Sequence, residues 1–472
     1  MKSPLRRAMI AVPILLVAAA ALLGAGCKGE PDTYTEQLVA PPGVPAQTPR
    51  GGAHVIVNLQ AMEHETEIAP GVKYTTWSFN GSTPGPMVRA RVGDTVEIHL
   101  ANAADSKNSH NIDLHAVNGP GGGAGATLVK PGESKYFTFK AKTEGLFVYH
   151  CAAGIVADHI TNGMYGAIMI DPPNGMDHVD KEFYVGQSEF YTNLDTNEPG
   201  NATLDMDKLF KEQPTYVTFN GNSKGLVGDK SLQAKVGDKV RIYFADGGPN
   251  LISSFHVIGE IFDRVWNYGA TGSAPLTGVQ TVLVPPGGAA VVEFKLDVPG
   301  DYKLVDHAIE RVSKGAVGTL HVVGPADPST FNAPGVSAAA ANSHEMTTPA
   351  PATATTAAAK PSPSATSAAS GQAPAGPNAV VLKDNVFEPK ELTAKAGQAV
   401  TFTLKNAGLV PHNMHVAPLD GNFDSPQSVV STPEIVMNGK TGTLTWTPPA
   451  AGTYKFRCDI HPDVMTGTIA VN

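Results

Sequence analysis

The stretch Val88-Arg-Ala-Arg-Val-Gly-Asp-Thr-Val-Glu-Ile98, with its later companion Glu144-Gly-Leu-Phe-Val-Tyr-His-Cys151, decides the fold because the chain writes it three times. The second copy reads Leu232-Gln-Ala-Lys-Val-Gly-Asp-Lys-Val-Arg-Ile242 and then Pro299-Gly-Asp-Tyr-Lys-Leu-Val-Asp-His307. The third reads Leu392-Thr-Ala-Lys-Ala-Gly-Gln-Ala-Val-Thr-Phe402 and then Ala451-Gly-Thr-Tyr-Lys-Phe-Arg-Cys458. Each copy has short β-branched runs, a Gly-Asp or Gly-Gln turn, and a late strand entered through glycine. The alternation in Val-Arg-Ile-Tyr-Phe and Val-Thr-Phe-Thr-Leu predicts half-buried strands. A repeat at this level predicts an all-β protein made of three copies of one β-sandwich.

Working outward, 472 residues are too many for one hydrophobic core and suggest about three domains. With 49 Gly, 38 Pro and only 16% charged residues, the composition suits turn-rich β domains better than helical ones. A net charge of −9 argues against nucleic acid or an anionic membrane surface as partner. It leaves open a small anionic substrate, because a bound metal can make the local field positive.

The chain begins Met1-Lys2, carries Arg6 and Arg7, and continues with an apolar run from Ala8 to Leu23. That pattern predicts a signal peptide over 1–27 and an exported protein, periplasmic or anchored on the outer face of a membrane. Leu23-Gly-Ala-Gly-Cys27 resembles a bacterial lipobox, which would make Cys27 a lipidated first residue, although the Leu stands one place early. Cleavage near Gly26 and an uncleaved anchor are the alternatives. Residues 28–52 read as a polar, Pro-rich linker. The first sandwich is expected over 53–172, the second over 173–324 and the third over 378–472. Between the last two, 325–377 is dominated by Ala, Pro, Ser and Thr and has too little apolar surface to fold. It reads as a flexible tether with a coil-like span on the order of 40 Å.

Besides Cys27 the chain has Cys151 and Cys458. An exported protein normally pairs its cysteines, but here each has His and Met close behind it. Cys151 is followed by His159 and Met164, and His110 lies upstream. Thiolate, two imidazoles and a weak thioether form the ligand set of a blue-copper centre. Strand parity adds a second site. His110 and His115 differ by five and face opposite ways, Asp113 and His115 share a face, and the neighbours His150 and Cys151 must diverge. One face therefore receives His110 and Cys151, the other Asp113, His115 and His150, and a single peptide bond links the two. Two imidazoles leave the second site incomplete, so it needs a third ligand. The second copy has no Cys, but it carries His256 and, where the other copies have Cys, His307. His54, His64, His99, His178, His321 and His344 read as ordinary packing or surface residues.

His110-Asn-Ile-Asp-Leu-His-Ala116, Tyr149-His-Cys-Ala152, His159-Ile-Thr-Asn-Gly-Met-Tyr-Gly166, Ser254-Phe-His-Val-Ile-Gly-Glu260 and Val305-Asp-His-Ala-Ile-Glu310 together resemble the two-domain copper nitrite reductases. The resemblance covers about Ala53 to Gly324, and the short loop from Cys151 to His159 is similar to the shorter-loop branch of that family. It implies cupredoxin-type Greek-key sandwiches, with a type 1 copper on His110, Cys151, His159 and Met164. It also implies a catalytic type 2 copper on His115, His150 and His307, the last from the adjacent subunit of a homotrimer. By the same resemblance Asp113 and His256 deliver protons, and Ile258 shapes the pocket for nitrite, which is reduced to nitric oxide and water. An outside electron donor such as a small cytochrome or cupredoxin is then expected.

The third copy has Pro411-His412-Asn413 and ends Cys458-Asp-Ile-His461-Pro-Asp-Val-Met465, which resembles plastocyanin-like cupredoxins. That implies a second type 1 site on His412, Cys458, His461 and Met465, with His415 as the competing upstream ligand. Arg457 stands where the first copy has His150, so this domain has no covalent path to a catalytic copper and reads as a tethered electron carrier that docks near Cys151. A laccase-like multicopper oxidase is a weak rival, since Ala152 follows Cys151 and no His-x-His occurs. A non-catalytic copper electron-transfer protein is the other alternative.

Overall fold

The computed structural model describes residues 32–47, 52–335, 376, 378–383, 385–408, 411–462 and 464–472. The expected signal peptide with Cys27, and most of the expected tether, lie outside the described residues.

Three sandwiches are present, each of two sheets. In every copy the glycine turn hands the chain from one sheet to the other. It joins Val88–Arg91 to Thr95–Asn102, Leu232–Lys235 to Lys239–Gly248, and Glu391–Ala394 to Val400–Asn406. The turn glycines Gly93, Gly237 and Gly397 have φ of 97°, 93° and 70°, a region where a Cβ is costly.

The sheet bearing the candidate ligands has one strand order in all three copies. In the first it runs Val88–Arg91, Tyr165–Asp171, Gly145–His150, Asp113–Leu114. In the second it runs Leu232–Lys235, Val317–Val323, Gly300–Asp306, Ser253–Ile258, Thr281–Val284. In the third it runs Glu391–Ala394, Thr466–Val471, Gly452–Arg457, His415–Val416, Val429–Val430. The first pair is parallel and the rest antiparallel, so the late glycine strand is central and its last residue leads straight into Cys151, His307 or Cys458. Each sandwich has its own core, typified by Val57, Ile98 and Ile168, by Val240, Phe255 and Phe294, and by Phe402, Tyr454 and Ile469. Each such side chain contributes about 1.5–3 kcal/mol on burial.

Three expectations are corrected. The strand Lys239–Gly248 is buried on both faces, not one, because a sheet of the second sandwich packs onto the Gly145–His150 sheet of the first. Its Arg241 is paired inside that contact, Nη1 meeting Glu182 at 2.7 Å, and Glu182 also takes Arg89 Nη1 of the first sandwich at 3.0 Å. The segment expected to be a linker is packed where it is described. Thr33–Thr35 pairs in parallel with His54–Ile56, and Pro45 O accepts from Arg89 Nη1 at 2.8 Å. Gly200–Ala202, expected within the second sandwich, instead extends the first sandwich's larger sheet beside Val72–Tyr74. In the last two cases backbone groups at a strand edge or in the leading segment find partners that water would otherwise supply.

Candidate metal centres

Among the described residues, three groups of potential ligands each bring their donor atoms within 4.8 Å of one another: His110, Cys151 and His159; His412, Cys458 and His461; and Asp113, His115 and His150.

In the first group, Cys151 Sγ lies 3.2 Å from His159 Nδ1 and 3.9 Å from His110 Nδ1. Cys151 ends the central strand, His110 comes from a bridge with Val129, and His159 sits on the short helix Val156–Thr161 inside the loop. Cys151 N donates to Met164 O at 3.0 Å, which closes the loop and returns Met164 to the same core as the thiol. Asn111 staples the pocket: its N–H points at Cys151 Sγ at 3.4 Å and its Oδ1 accepts from Ala152 N at 2.6 Å. Trp77 meets His159 edge-on at 4.8 Å. The third sandwich repeats the arrangement, with Cys458 Sγ 3.8 Å from His412 Nδ1 and 3.7 Å from His461 Nδ1. Asn413 N points at the sulfur at 3.4 Å, and Cys458 N donates to Met465 O at 2.9 Å. His415 is not in the group, because Asp459 holds its Nδ1 at 2.8 Å.

The electrostatics suit a cation. Burial pushes the Cys151 thiol up to about 12 and raises the Cys458 thiol as well, so a thiolate in either pocket needs positive charge beside it. Burial also lowers His412 to about 3 and His461 to about 4, and holds His159 well below the usual range, with His110 and His461 adding to the effect. These rings are neutral and offer lone pairs. Soft sulfur with two imidazoles fits copper.

The third group lies on the opposite face. Asp113 and His150 are cross-strand partners, so their side chains share a side. His115 Nδ1 is paired with Gly287 O at 3.1 Å and His150 Nδ1 with Cys151 O at 3.1 Å. A carbonyl can only accept, so both rings carry their hydrogen on Nδ1 and aim a bare Nε2 lone pair inward. Those two Nε2 atoms are 3.1 Å apart, where they repel unless a cation sits between them. Two nitrogens each about 2.0–2.1 Å from one metal would be separated by about that much. Among the described residues, neither His256 nor His307 joins this group. They lie together on the second sandwich instead, with ring centres 5.5 Å apart and Nδ1 of His256 bonded to Gln280 O at 2.6 Å. Ile258 lies two residues beyond His256 on the same strand, hence on the same side.

The third sandwich touches the first beside His159. A Cβ added to Gly154 would lie 3.1 Å from Ile460 O and 3.7 Å from His159 Nε2. Met437 packs against a cluster formed by Tyr191, Leu204, Met206 and Leu209. Asn385 Nδ2 donates to Lys107 O at 2.8 Å.

Sequence reasoning missed Glu63. Burial would raise its carboxyl, but hydrogen bonds from His110 and from Lys107 and Asn108 hold it below the usual range. Nothing in the pattern marks it, since Glu63 reads as one polar residue on an alternating strand. Asn111 and Asn413 were passed over as well, although both copper-type copies write His-Asn at 110–111 and 412–413 and the second copy does not.

The sandwich fold and the Cys-with-two-His pockets put this chain among the cupredoxin-domain copper proteins. Residues 60–175 match the family model described as Multicopper oxidase, and residues 352–471 the one described as Cupredoxin-like domain. The chain is 48% identical over 289 residues to the copper-containing nitrite reductase of Neisseria meningitidis, covering 61% of this chain and 74% of that one. It is 36% identical over 309 residues to that of Alcaligenes faecalis, covering 61% and 82%. Among solved structures, a copper nitrite reductase from Nitrosomonas europaea superposes with a TM-score of 0.52 at 35% identity, over 58% of this chain and 96% of that one. One from Thermus scotoductus superposes with a TM-score of 0.55 at 28% identity, over 89% and 99%. The chain belongs to the copper-containing nitrite reductases and is a copper-dependent oxidoreductase acting on nitrite.

Proposed function

We propose that the enzyme reduces nitrite by one electron and two protons to nitric oxide and water at the Asp113–His115–His150 face. The observation that carries this reading is the facing pair of Nε2 lone pairs, joined through one peptide bond to a separate thiolate pocket. His110, Cys151, His159 and Met164 would hold the type 1 copper, and His412, Cys458, His461 and Met465 a second one. His115 and His150, with His307 from a neighbouring subunit, would hold the type 2 copper. Copper bound there supplies the electron and an open position for a nitrite oxygen.

The chain's own groups do the rest. Asp113, on the same side as the two Nε2 atoms, hydrogen-bonds the substrate oxygen and gives it a proton. His256, whose Nδ1 donates to Gln280 O, carries the second proton on Nε2. Ile258 narrows the space above. Among the described residues of one chain the His115/His150 pair meets no third imidazole, while half-buried His256 and exposed His307 stand apart from it. Two incomplete halves are made whole when the second sandwich of one subunit covers the first sandwich of the next, which a closed homotrimer does three times. The third sandwich, resting beside His159, would feed electrons inward after taking them from a small cytochrome or cupredoxin. Export, and membrane attachment through Cys27, follow from the leader and remain part of the proposal.

The test is nitric oxide formation from nitrite with an artificial reductant, alongside a copper count. Nitric oxide with about three coppers per chain supports the reading. No nitric oxide with about two would leave an electron carrier.

A further inference from the structure

Asn385 belongs to the third sandwich but is only 7% exposed, because its side chain enters the first. Its Nδ2 donates to Lys107 O at 2.8 Å and to Asn108 Oδ1 at 3.2 Å. Asn108 passes the bond on, its own Nδ2 donating to Glu63 Oε1 at 3.1 Å. The same oxygen accepts from His110 Nε2 at 3.2 Å, and the other ring nitrogen of His110 faces Cys151 Sγ. An unbroken run of side-chain hydrogen bonds thus leads from the docking contact to a type 1 ligand.

We propose that Asn385, Asn108 and Glu63 form a relay through which docking of the third sandwich raises the reduction potential of the core type 1 centre. This rests on the donor role proposed above. A carboxylate accepting from a ligand imidazole makes that ring more electron-donating and favours the oxidised, more positive metal. The third centre has no such partner: among the described residues, His412 Nε2 meets no hydrogen-bonding group. Glu63 therefore biases the undocked core centre against accepting an electron. When Asn385 arrives it polarises the Asn108 amide, which becomes a stronger donor to Glu63 and draws charge away from His110. The core centre then becomes the better acceptor while its donor is seated. One electron leaves the Cys458 side and is gained on the Cys151 side, and no bond or proton changes hands. Glu63 and Asn108 act through His110, so they are positioning residues.

The test uses the full, copper-loaded chain carrying Cys458→Ser, so that the Cys151 band alone reports. Redox titration of that band is compared among this parent, Asn385→Ala, Glu63→Gln and the double variant. Asn385→Ala should shift the reduction equilibrium about threefold towards the oxidised form, roughly 28 mV at 59 mV per decade for one electron. Glu63→Gln should shift it the other way, and adding Asn385→Ala to Glu63→Gln should then do nothing further. An unchanged potential in Asn385→Ala overturns the relay, and so does a shift that persists undiminished with Glu63→Gln, since it would report solvent entry. Intramolecular transfer in the wild-type chain is followed separately by rapid mixing with a reductant. If transfer is intact while the potentials do not move, only the relay fails. If the core is never reduced through the third sandwich, the donor reading fails and the relay with it.

Discussion

Gly122 has φ 55°, and a methyl group there would fall 1.8 Å from Asp113 Oδ1. Gly122 thus leaves the space in which the proposed proton donor sits. Losing a positioned acid costs about 10²–10⁴ in rate. Gly122→Ala should lower nitrite turnover by about 10²-fold while the visible absorption of the Cys151 centre stays, and an unchanged kcat would separate Asp113 from the chemistry. A second residue bears on stability. Burial, helped by Asp297 and Asp263, raises Glu260 to about 8 from an ordinary value of 4.5. The folded protein then holds this proton more tightly than the unfolded chain, so this group's contribution to stability is greatest at low pH and is lost as pH rises from about 4.5 to about 8. Denaturant unfolding across that window should show the decline, and Glu260→Gln should flatten it. Gly122 was visible in the sequence as part of a glycine run, but its closeness to Asp113 was not, because contact across a loop leaves no periodic trace.

The central strand Gly145–His150 is the element on which both core pockets depend. Its alternation sends the ring of His150 to one face and hands Cys151 to the other, and Asp113 faces His150 across one rung of the ladder. His115→Ala should therefore abolish nitrite reduction and leave the Cys151 absorption intact. Retained turnover would contradict the two-site assignment. Parity along 110–115 foretold the division correctly, although only Asp113–Leu114 is strand and His110 is held by a separate bridge. The alternation rule failed at Lys239–Gly248, since a strand facing two partners is buried on both sides whatever its pattern. The docking contact is the other element. Met437 sits against the Tyr191–Leu204 cluster, and Met437→Glu should slow electron entry through the third sandwich several-fold while leaving turnover with a small artificial donor unchanged.

In the proposed trimer the molecule as a whole carries two halves of a site, His115 with His150 and His307 with His256, which stand apart within one chain. His115→Ala and His307→Ala should each be inactive. When the two are unfolded and refolded together, a closed ring with one site per interface should regain roughly a quarter of the activity, since that share of interfaces pairs an intact half from each. No recovery would mean that one chain completes its own site. The first two sandwiches act as one block, locked where Arg89 of the first meets Glu182 at 3.0 Å and the Tyr243 hydroxyl at 3.1 Å in the second. Removing one partner of such a pair leaves a buried charge uncompensated.

The sequence by itself determined the all-β class and the threefold repeat, because these are written locally in period-two strands and glycine turns; spacing and parity marked candidate ligands around Cys151, and resemblance to plastocyanin-like cupredoxins marked those around Cys458. Tertiary structure decided which surfaces the repeats present to each other. Packing of one sandwich on another buried Arg89 and both faces of Lys239–Gly248 and brought Asn385 to Asn108, while packing within the first sandwich brought Glu63 to His110 and the two-sandwich arrangement kept His307 away from His115 and His150. Those outcomes depend on contacts between segments tens to hundreds of residues apart, and such contacts are set by the shape of finished domains rather than by any stretch of chain.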